Sequence, residues 1–507
     1  MSDRLNPVRA RTPNFALNTE LGQGVCRVNK PFSDDGVYQP AQTTAVAPAP
    51  GMLDGLARLA SERMARLEST VPPGYQTVFR AAAIGLGQNV YETDARLAIL
   101  AGLETLYSST DDPRYQAAQA QFAQTERSAL LNELAAFLSS TAAQPVPNEP
   151  LERFFVGLST GLDPHTRLQA SNTMNRIRHG SGVSLGAATT RSRDGVFFTR
   201  VEPGGPAATA GLQPGDRIVE FDGRTFDHDA YTESMQRLFR FRDSDKSLTV
   251  ERAGVVIDVT VPRKRLVREP IQTERIGDVG VITLSMFTVG MSERLEHALN
   301  TLEGVEPTGA SDTNRANRED GPLEGLVFDL RGNPGGTEPS LSAELFLDRG
   351  VLSDTARVAH DVPCYQRFEA AHGPSHRWEE HPRIVILVDE GTFSAAEVFA
   401  QSLGVNDRAV VVGLSGGKAT TQMPMPIDNT RELWTSISVM SVNGLTWHDR
   451  GVGAGIGIDG EPAQPPLERP FSAYAADLEN AIRVAGDEDE YARLRSIQRD
   501  RLASMRE

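Results

Sequence analysis

Residues 391–397 read GTFSAAE, with RIVILVDE before them and VFAQSLG after. The first flank has the apolar texture of a buried strand and the second that of a helix, so Ser394 stands where one hands over to the other. Helix N-termini present N–H groups without intrahelical partners. A serine there is a candidate nucleophile as well as an ordinary N-cap. A nucleophilic serine needs a base. Lys418, in VGLSGGKATTQ, follows the apolar run AVVVG, which should form a strand beside RIVILVD. A lysine accepts a proton only when neutral, a state favoured by an apolar, water-poor pocket. Gln422, four residues on, can orient the amine. His165 and His448 lie in turn-like segments and stay open as alternative bases. The third element is FDLRGNPGG (328–336), a strand run ending in a Gly-rich turn. Its N–H groups can form an anion-binding nest. With the N–H of Ala395 they can hold the oxyanion of a tetrahedral intermediate.

Two other serines match G-x-S-x-G, in GVSLG (182–186) and GLSGG (413–417). That elbow requires a strand before and a helix after. GVSLG opens a β-rich stretch instead. GLSGG follows a strand but runs into KATTQMPMP, whose two prolines exclude a helix. Ser415 is therefore the nucleophile of a rival reading only, an α/β-hydrolase esterase. His372, His376 and His381 lie in AHGPSHRWEEHP, where Gly373 and Pro374 disfavour a helical metal pair. No metal and no cofactor are expected.

Several kinds of element must position these groups. Residues 1–51 are irregular, and their Pro/Ala/Thr-rich end (38–51) reads as a flexible tether. Helical periodicity follows, with Leu53, Leu56, Ala60, Met64 and Leu67 on one stripe, a break at VPPG (71–74), and a second run through Leu97, Leu100, Leu103 and Leu106. A third covers about 114–139. These stripes suit a core or a self-association face. From 178 the texture turns to short strands, Val196–Val201 and Ile218–Phe221 among them. A helical face with Met235, Leu238 and Phe239 follows, then a hairpin through Ala253-Gly254. From 265 strands alternate with helices, which argues for parallel pairing. The polar segment 306–321 reads as an exposed insertion. The fold class expected is α+β multidomain: a flexible segment 1–51, a helical region 52–177, a β-rich domain 178–264, an α/β core with a mostly parallel sheet 265–470, and a charged helical tail 471–507.

The chain has 507 residues, 39% of them hydrophobic, so it can bury several cores. A formal net charge of −16 argues against nucleic-acid binding. Cys26 and Cys364 are the only cysteines, which excludes a disulfide framework and a Cys-rich zinc site. No apolar run reaches the length of a membrane span. The N-terminal residues lack the apolar stretch of a signal peptide, which points to the cytosol.

Taken together and in this order, LRGNPGG (330–336), GTFSAAE (391–397) and GKATTQ (417–422) resemble the motifs of the C-terminal processing, or tail-specific, proteases. The resemblance covers roughly 160–465. It identifies the module at 178–264, with GPAATAGLQPGDRIVEFDG, as similar to the PDZ domain of that family, and LDPHTRL (162–168) as similar to its lead-in. It implies a serine endopeptidase with Ser394 as nucleophile, Lys418 as general base and Gln422 as the lysine-orienting member. Ala395, Gly335 and Gly336 would supply the oxyanion hole. The implied PDZ carboxylate loop is Gly182, Val183, Ser184, Leu185 and Gly186, capturing the C-terminus of a protein or peptide substrate while the domain gates the site. The resemblance also allows an activating partner protein, homo-oligomers through the N-terminal helices, and export to the cell envelope. Thr392 replaces the family's serine, the lysine loop is one residue shorter, and Ala419 stands where glycine is common. A catalytically silent PDZ scaffold is the second reading.

Overall fold

The structure, a computed structural model, describes residues 25–27, 62–88, 94–141, 143–162, 165–171, 180–226, 238, 245–267, 269–304, 322–359, 362–370, 382–448 and 450–506. The expected tether, the first apolar stripe before residue 62, the helical face at Met235 and Phe239, the 306–321 insertion and His372, His376 and His381 lie outside these residues. The chain divides into two compact units: residues 1–174 with 354–367 and 420–440, and residues 175–353 with 368–419 and 441–507.

The first unit contains helices α1 Gln76–Gln88, α2 Ala95–Tyr107, α3 Pro113–Phe122, α4 Leu130–Ser140 and α5 Pro150–Thr160. Asp94 starts α2 by accepting the Arg96 and Leu97 N–H groups. Asp112 does the same for Arg114, with Pro113 at the first helical position. The stripe expected on α2 is only partly correct. Leu103 and Leu106 are fully buried, whereas Leu97 is 50% exposed. A spacing of three lags behind a 3.6-residue turn, so the stripe drifts off the core face. Helices α2 and α5 meet at Gly157, whose N–H donates to Thr105 Oγ1. The unit also contains strand Arg167–Ala170, antiparallel to Arg431–Ser441, which pairs antiparallel with Thr420–Pro426.

The second unit begins with an antiparallel sheet in the order β1 Ala187–Ser192, β2 Gly195–Val201, β3 Arg217–Phe221, β4 Lys246–Arg252 and β5 Val255–Val261. The β4–β5 turn is the expected Ala253-Gly254, with φ of 49° and 79°, as a two-residue hairpin with both central residues at positive φ requires. Val196, Phe198, Leu248, Val250 and Leu238 form its core. A five-stranded sheet follows: β6 Ile271–Ile276, β7 Val279–Leu284, β8 Gly325–Asp329, β9 Arg383–Leu387 and β10 Ala409–Val412, neighbours in that order. Its helices are α6 Met291–Glu303, α7 Pro339–Glu344 and α8 Ala395–Val405. The tail forms α9 Phe471–Gly486 and α10 Glu488–Ser504. Val281, Val327, Val385 and Val410 pack with Ala481, Val484 and Leu494 of α9 and α10. The ring of Phe328 packs 5.2 Å from that of Phe399 on α8. Burial on both faces explains why these strands read as continuous apolar runs rather than alternating ones.

One expectation needs correction. Parallel pairing links β7 to β8, β8 to β9 and β9 to β10, but β6 joins antiparallel. The strands at 420–441, placed by the sequence reading in the same core, belong to a different sheet and pair antiparallel. A mostly parallel sheet therefore does not describe the core as a whole, and among the described residues most pairings are antiparallel. Among the described residues, the segments joining β7 to β8, β8 to β9 and β9 to β10 each contain a helix, as a parallel crossover requires, whereas the short turns at 427–430 and Ala253-Gly254 return the chain antiparallel. Helix α8 runs through Gly404 to Val405, and a Cβ at 404 would lie 2.9 Å from Val411 Cγ2, so glycine here permits close packing on β10. Among the described residues no helix is long and apolar enough to cross a membrane.

A Cβ added at Gly157 would lie 1.9 Å from the Ala101 carbonyl oxygen. Gly157→Ala should therefore destabilise the first unit by about 3 kcal/mol, as overpacking against backbone does, measured as a lowered urea midpoint followed by fluorescence.

Candidate active site

Ser394 follows β9 by a short turn and opens α8 with φ 56° and ψ −117°. A positive φ is costly for a residue with a Cβ and persists only where the surroundings enforce it. A serine nucleophile on a strained strand-to-helix turn has this conformation, because the bend lifts the hydroxyl clear of its own backbone. The enforcing contact is Glu397, one turn into α8 and fully buried. Its Oε2 accepts the Ser394 N–H at 2.8 Å and the Lys418 N–H at 2.9 Å. Its Oε1 accepts the Gly417 N–H at 2.7 Å and the Ser415 hydroxyl at 2.6 Å. One carboxylate therefore ties the serine turn to the lysine loop. Sequence reasoning missed Glu397, although Ser-x-x-Glu ahead of an apolar run is a capping-box signature.

The other motif residues of this unit assemble around the same turn. Gly416 donates to the Thr392 carbonyl at 2.9 Å, and a Cβ on it would lie 1.9 Å from the Phe393 ring, so the lysine loop packs directly over the serine turn. Lys418 is 6% exposed. The Gly-rich turn closes from the opposite side. A Cβ at Gly335, where φ is 95°, would lie 2.8 Å from the Ala395 nitrogen and 2.8 Å from Ser394 Cβ. The Phe393 N–H donates to the Asn333 carbonyl at 2.9 Å. The Gly335 N–H, expected to face an oxyanion, donates instead to Asn333 Oδ1 at 2.9 Å. Gly336 bridges Phe287, and the Thr337 N–H donates to the Phe287 carbonyl.

Two further groups went unrecognised in the sequence. Asp389, at the end of β9, has Oδ1 accepting the N–H groups of Gly332 and Gly391 at 2.8 and 2.9 Å, and Oδ2 accepting the Tyr474 hydroxyl at 3.0 Å. Burial pushes its pKa up, opposed by these donors. The Thr392 hydroxyl donates to the Leu330 carbonyl at 2.8 Å, which gives the residue at the family's serine position a structural task. Below them Asp329 pairs with Arg331 at 2.8 Å. Burial alone would raise the pKa of Asp329, but the guanidinium outweighs it and holds the carboxyl below its ordinary value.

Gln422 belongs to the first unit, in strand Thr420–Pro426, and its Nε2 donates to the His165 carbonyl. Ser415 sits in the lysine loop and is followed by a strand, not a helix, while its hydroxyl is engaged with Glu397. In the 182–186 loop, backbone at Gly182 and Val183 pairs with Leu266 and Arg265. Leu185 is fully buried and its carbonyl accepts the Ala207 N–H. The Gly186 N–H donates to Ser184 Oγ at 3.2 Å. The loop leads into β1, the edge strand of its sheet. Among the described residues no cluster of side chains is arranged to hold a metal ion.

Burial pushes the Glu397 carboxyl from 4.5 up to about 7, against its four hydrogen-bond donors. A raised folded-state pKa gives a contribution to stability that is complete below the ordinary carboxyl value and lost as pH rises through about 7. The melting temperature should therefore fall between about pH 5 and pH 8, and fall less in Glu397→Gln, which cannot ionise; thermal unfolding across that range reads both.

Residues 278–454 match the family described as Peptidase family S41, and residues 197–252 match the PDZ domain. A probable CtpA-like serine protease of Staphylococcus aureus is 27% identical over 304 residues, covering 59% of this chain and 57% of that protein. A carboxy-terminal-processing protease of Bartonella bacilliformis is 27% identical over 316 residues, covering 59% of this chain and 69% of that one. This chain thus spans little more than half the length of the first relative. Among solved structures, the photosystem II D1 C-terminal processing protease aligns with 20% identity and a TM-score of 0.45, over 77% of this chain and 98% of that one. Residues 278–454 are thus similar to peptidase family S41, and the stretch ahead of them, 197–252, to a PDZ domain.

Proposed function

We propose that the protein is a serine endopeptidase that acts on the C-terminal regions of proteins. The observation that carries this reading is the Glu397 tie, which holds the strained Ser394 turn and the buried Lys418 loop against each other. In the reaction Ser394 Oγ attacks a substrate carbonyl carbon while the neutral Lys418 amine takes its proton. The developing oxyanion is met by the Ala395 N–H, at the start of α8, and by the Gly335-Gly336 turn. Gly336 is the better donor of that pair, since the Gly335 N–H is bound to Asn333. Collapse breaks the peptide bond, the lysine returns its proton to the leaving amine, and an ester to Ser394 remains. Water activated by Lys418 then cleaves that ester. Gln422 is assigned the orientation of the amine on the strength of the GKATTQ motif. No step needs a metal or an organic cofactor.

The substrate's C-terminus is assigned to the PDZ domain. The loop Gly182, Val183, Ser184, Leu185 and Gly186 ends at an edge strand, so a peptide can add to β1 with its carboxylate at the loop. The domain also touches the machinery within its own unit. Arg191 donates to both oxygens of Glu390, just before the serine turn, and Arg200 donates to the Arg331 carbonyl beside the Gly-rich turn. These contacts support a role in gating. The esterase reading finds no support, because Ser415 has no helix behind it and its hydroxyl holds the loop.

Ser394→Ala and Lys418→Ala should each lower casein cleavage by about three orders of magnitude or more while leaving the melting temperature near that of the wild type. If wild-type protein cleaves neither casein nor any C-terminally tagged substrate, the silent-scaffold reading replaces this one. Small-ester turnover that survives Ser394→Ala but not Ser415→Ala would restore the esterase.

A further inference from the structure

The lysine loop is held by more than Glu397. Ser415 Oγ donates to Glu397 Oε1 at 2.6 Å and accepts the Val452 N–H at 3.0 Å. The adjoining Gly453 N–H donates to Gln401 Oε1 of α8 at 2.7 Å. A Cβ at Gly451, where φ is 81°, would lie 3.2 Å from the Ser415 nitrogen. The segment 451–453 thus closes over the loop and is joined to it through one hydroxyl.

That hydroxyl differs in kind from the other partners of Glu397. Ser394, Gly417 and Lys418 present backbone N–H groups, which only donate. A serine hydroxyl donates or accepts by rotating about one bond. When Glu397 is ionised, it accepts all four donors. When it is protonated, its own proton needs an acceptor, and Ser415 Oγ is the one member of this set able to take it. The ionisable side chains on the surrounding elements are Asp389 and Glu390 in the serine turn, Lys418 in the loop, and His448 and Arg450 ahead of Val452.

We propose that Ser415 is a positioning residue for the peptidase reaction, holding the Lys418 loop on Glu397 in both protonation states of that carboxyl and fastening it to the 451–453 segment. The proposal rests on the assignment of Ser394 and Lys418 as the reacting pair. Ser415 touches neither substrate nor reacting atoms; it acts through Glu397.

The test compares wild type, Ser415→Ala and Ser415→Thr on a fluorogenic peptide between pH 5 and pH 9, with carbon-13 NMR titration of the Glu397 side-chain carboxyl in the same three proteins. In Ser415→Ala we expect kcat roughly tenfold lower with KM little changed. We also expect the acid limb of the profile and the Glu397 titration to move up by about one pH unit, since a donor to the anion has gone. Ser415→Thr, which keeps the hydroxyl, should restore both. Unchanged kcat with an unmoved acid limb in Ser415→Ala overturns the proposal, as does a loss of activity that Ser415→Thr does not rescue. If wild type proves inactive on every substrate, the peptidase reading fails by itself, and the Glu397 titration still decides: an upward shift in Ser415→Ala supports the clamp, and no shift overturns it.

Discussion

One buried carboxylate organises the site. Glu397 lies within the first turn of α8, where the helix field favours a negative charge, and it is completely removed from water. An unpaired carboxylate in that place would cost several kcal/mol. Four donors offset part of that cost, and three of them are backbone N–H groups of the serine turn and the lysine loop. The distortion at Ser394 and the closeness of Lys418 therefore have a common cause. The carboxylate is the contact that the serine turn and the lysine loop share.

Asp389 plays the matching part on the other side. It gathers the N–H groups of Gly332 and Gly391, and so joins the Gly-rich turn to the serine turn. Its second oxygen takes the hydroxyl of Tyr474, on the first of the two tail helices. Arg331 stacks over the Tyr474 ring at 4.5 Å and donates to the Tyr474 carbonyl at 2.8 Å. The tail is thus part of the foundation of the site and not an appendage to the five-stranded sheet. The PDZ sheet reaches the same foundation through Arg191 on Glu390 and Arg200 on Arg331.

Much of this was legible in the sequence, for a physical reason. Alternating strands and helices, the Ala253-Gly254 hairpin and the helix at 291–303 are written in local patterns of three to fifteen residues. The β9 and β10 strands could be set side by side because both are short, wholly apolar runs on either side of a buried helix. The Gly335 approach also follows from residue type, since glycine alone tolerates a backbone neighbour at that distance. What local pattern leaves open is which sheet a strand joins. The strand run at 420–441 leaves the parallel sheet and pairs antiparallel elsewhere, and no local pattern encodes which edge a strand joins.

The sequence by itself determined the motifs, their order and the backbone conformations that glycine and proline impose, because these depend on groups a few bonds apart. Only the tertiary structure decided that Glu397 and Asp389 are the fasteners, that Gly335 spends its N–H on Asn333, and that the Ser415 hydroxyl meets Glu397. Those roles depend on which donors burial brings within 3 Å of an acceptor. A buried polar group must find its partner wherever the packed chain supplies one, however far away in sequence that partner lies.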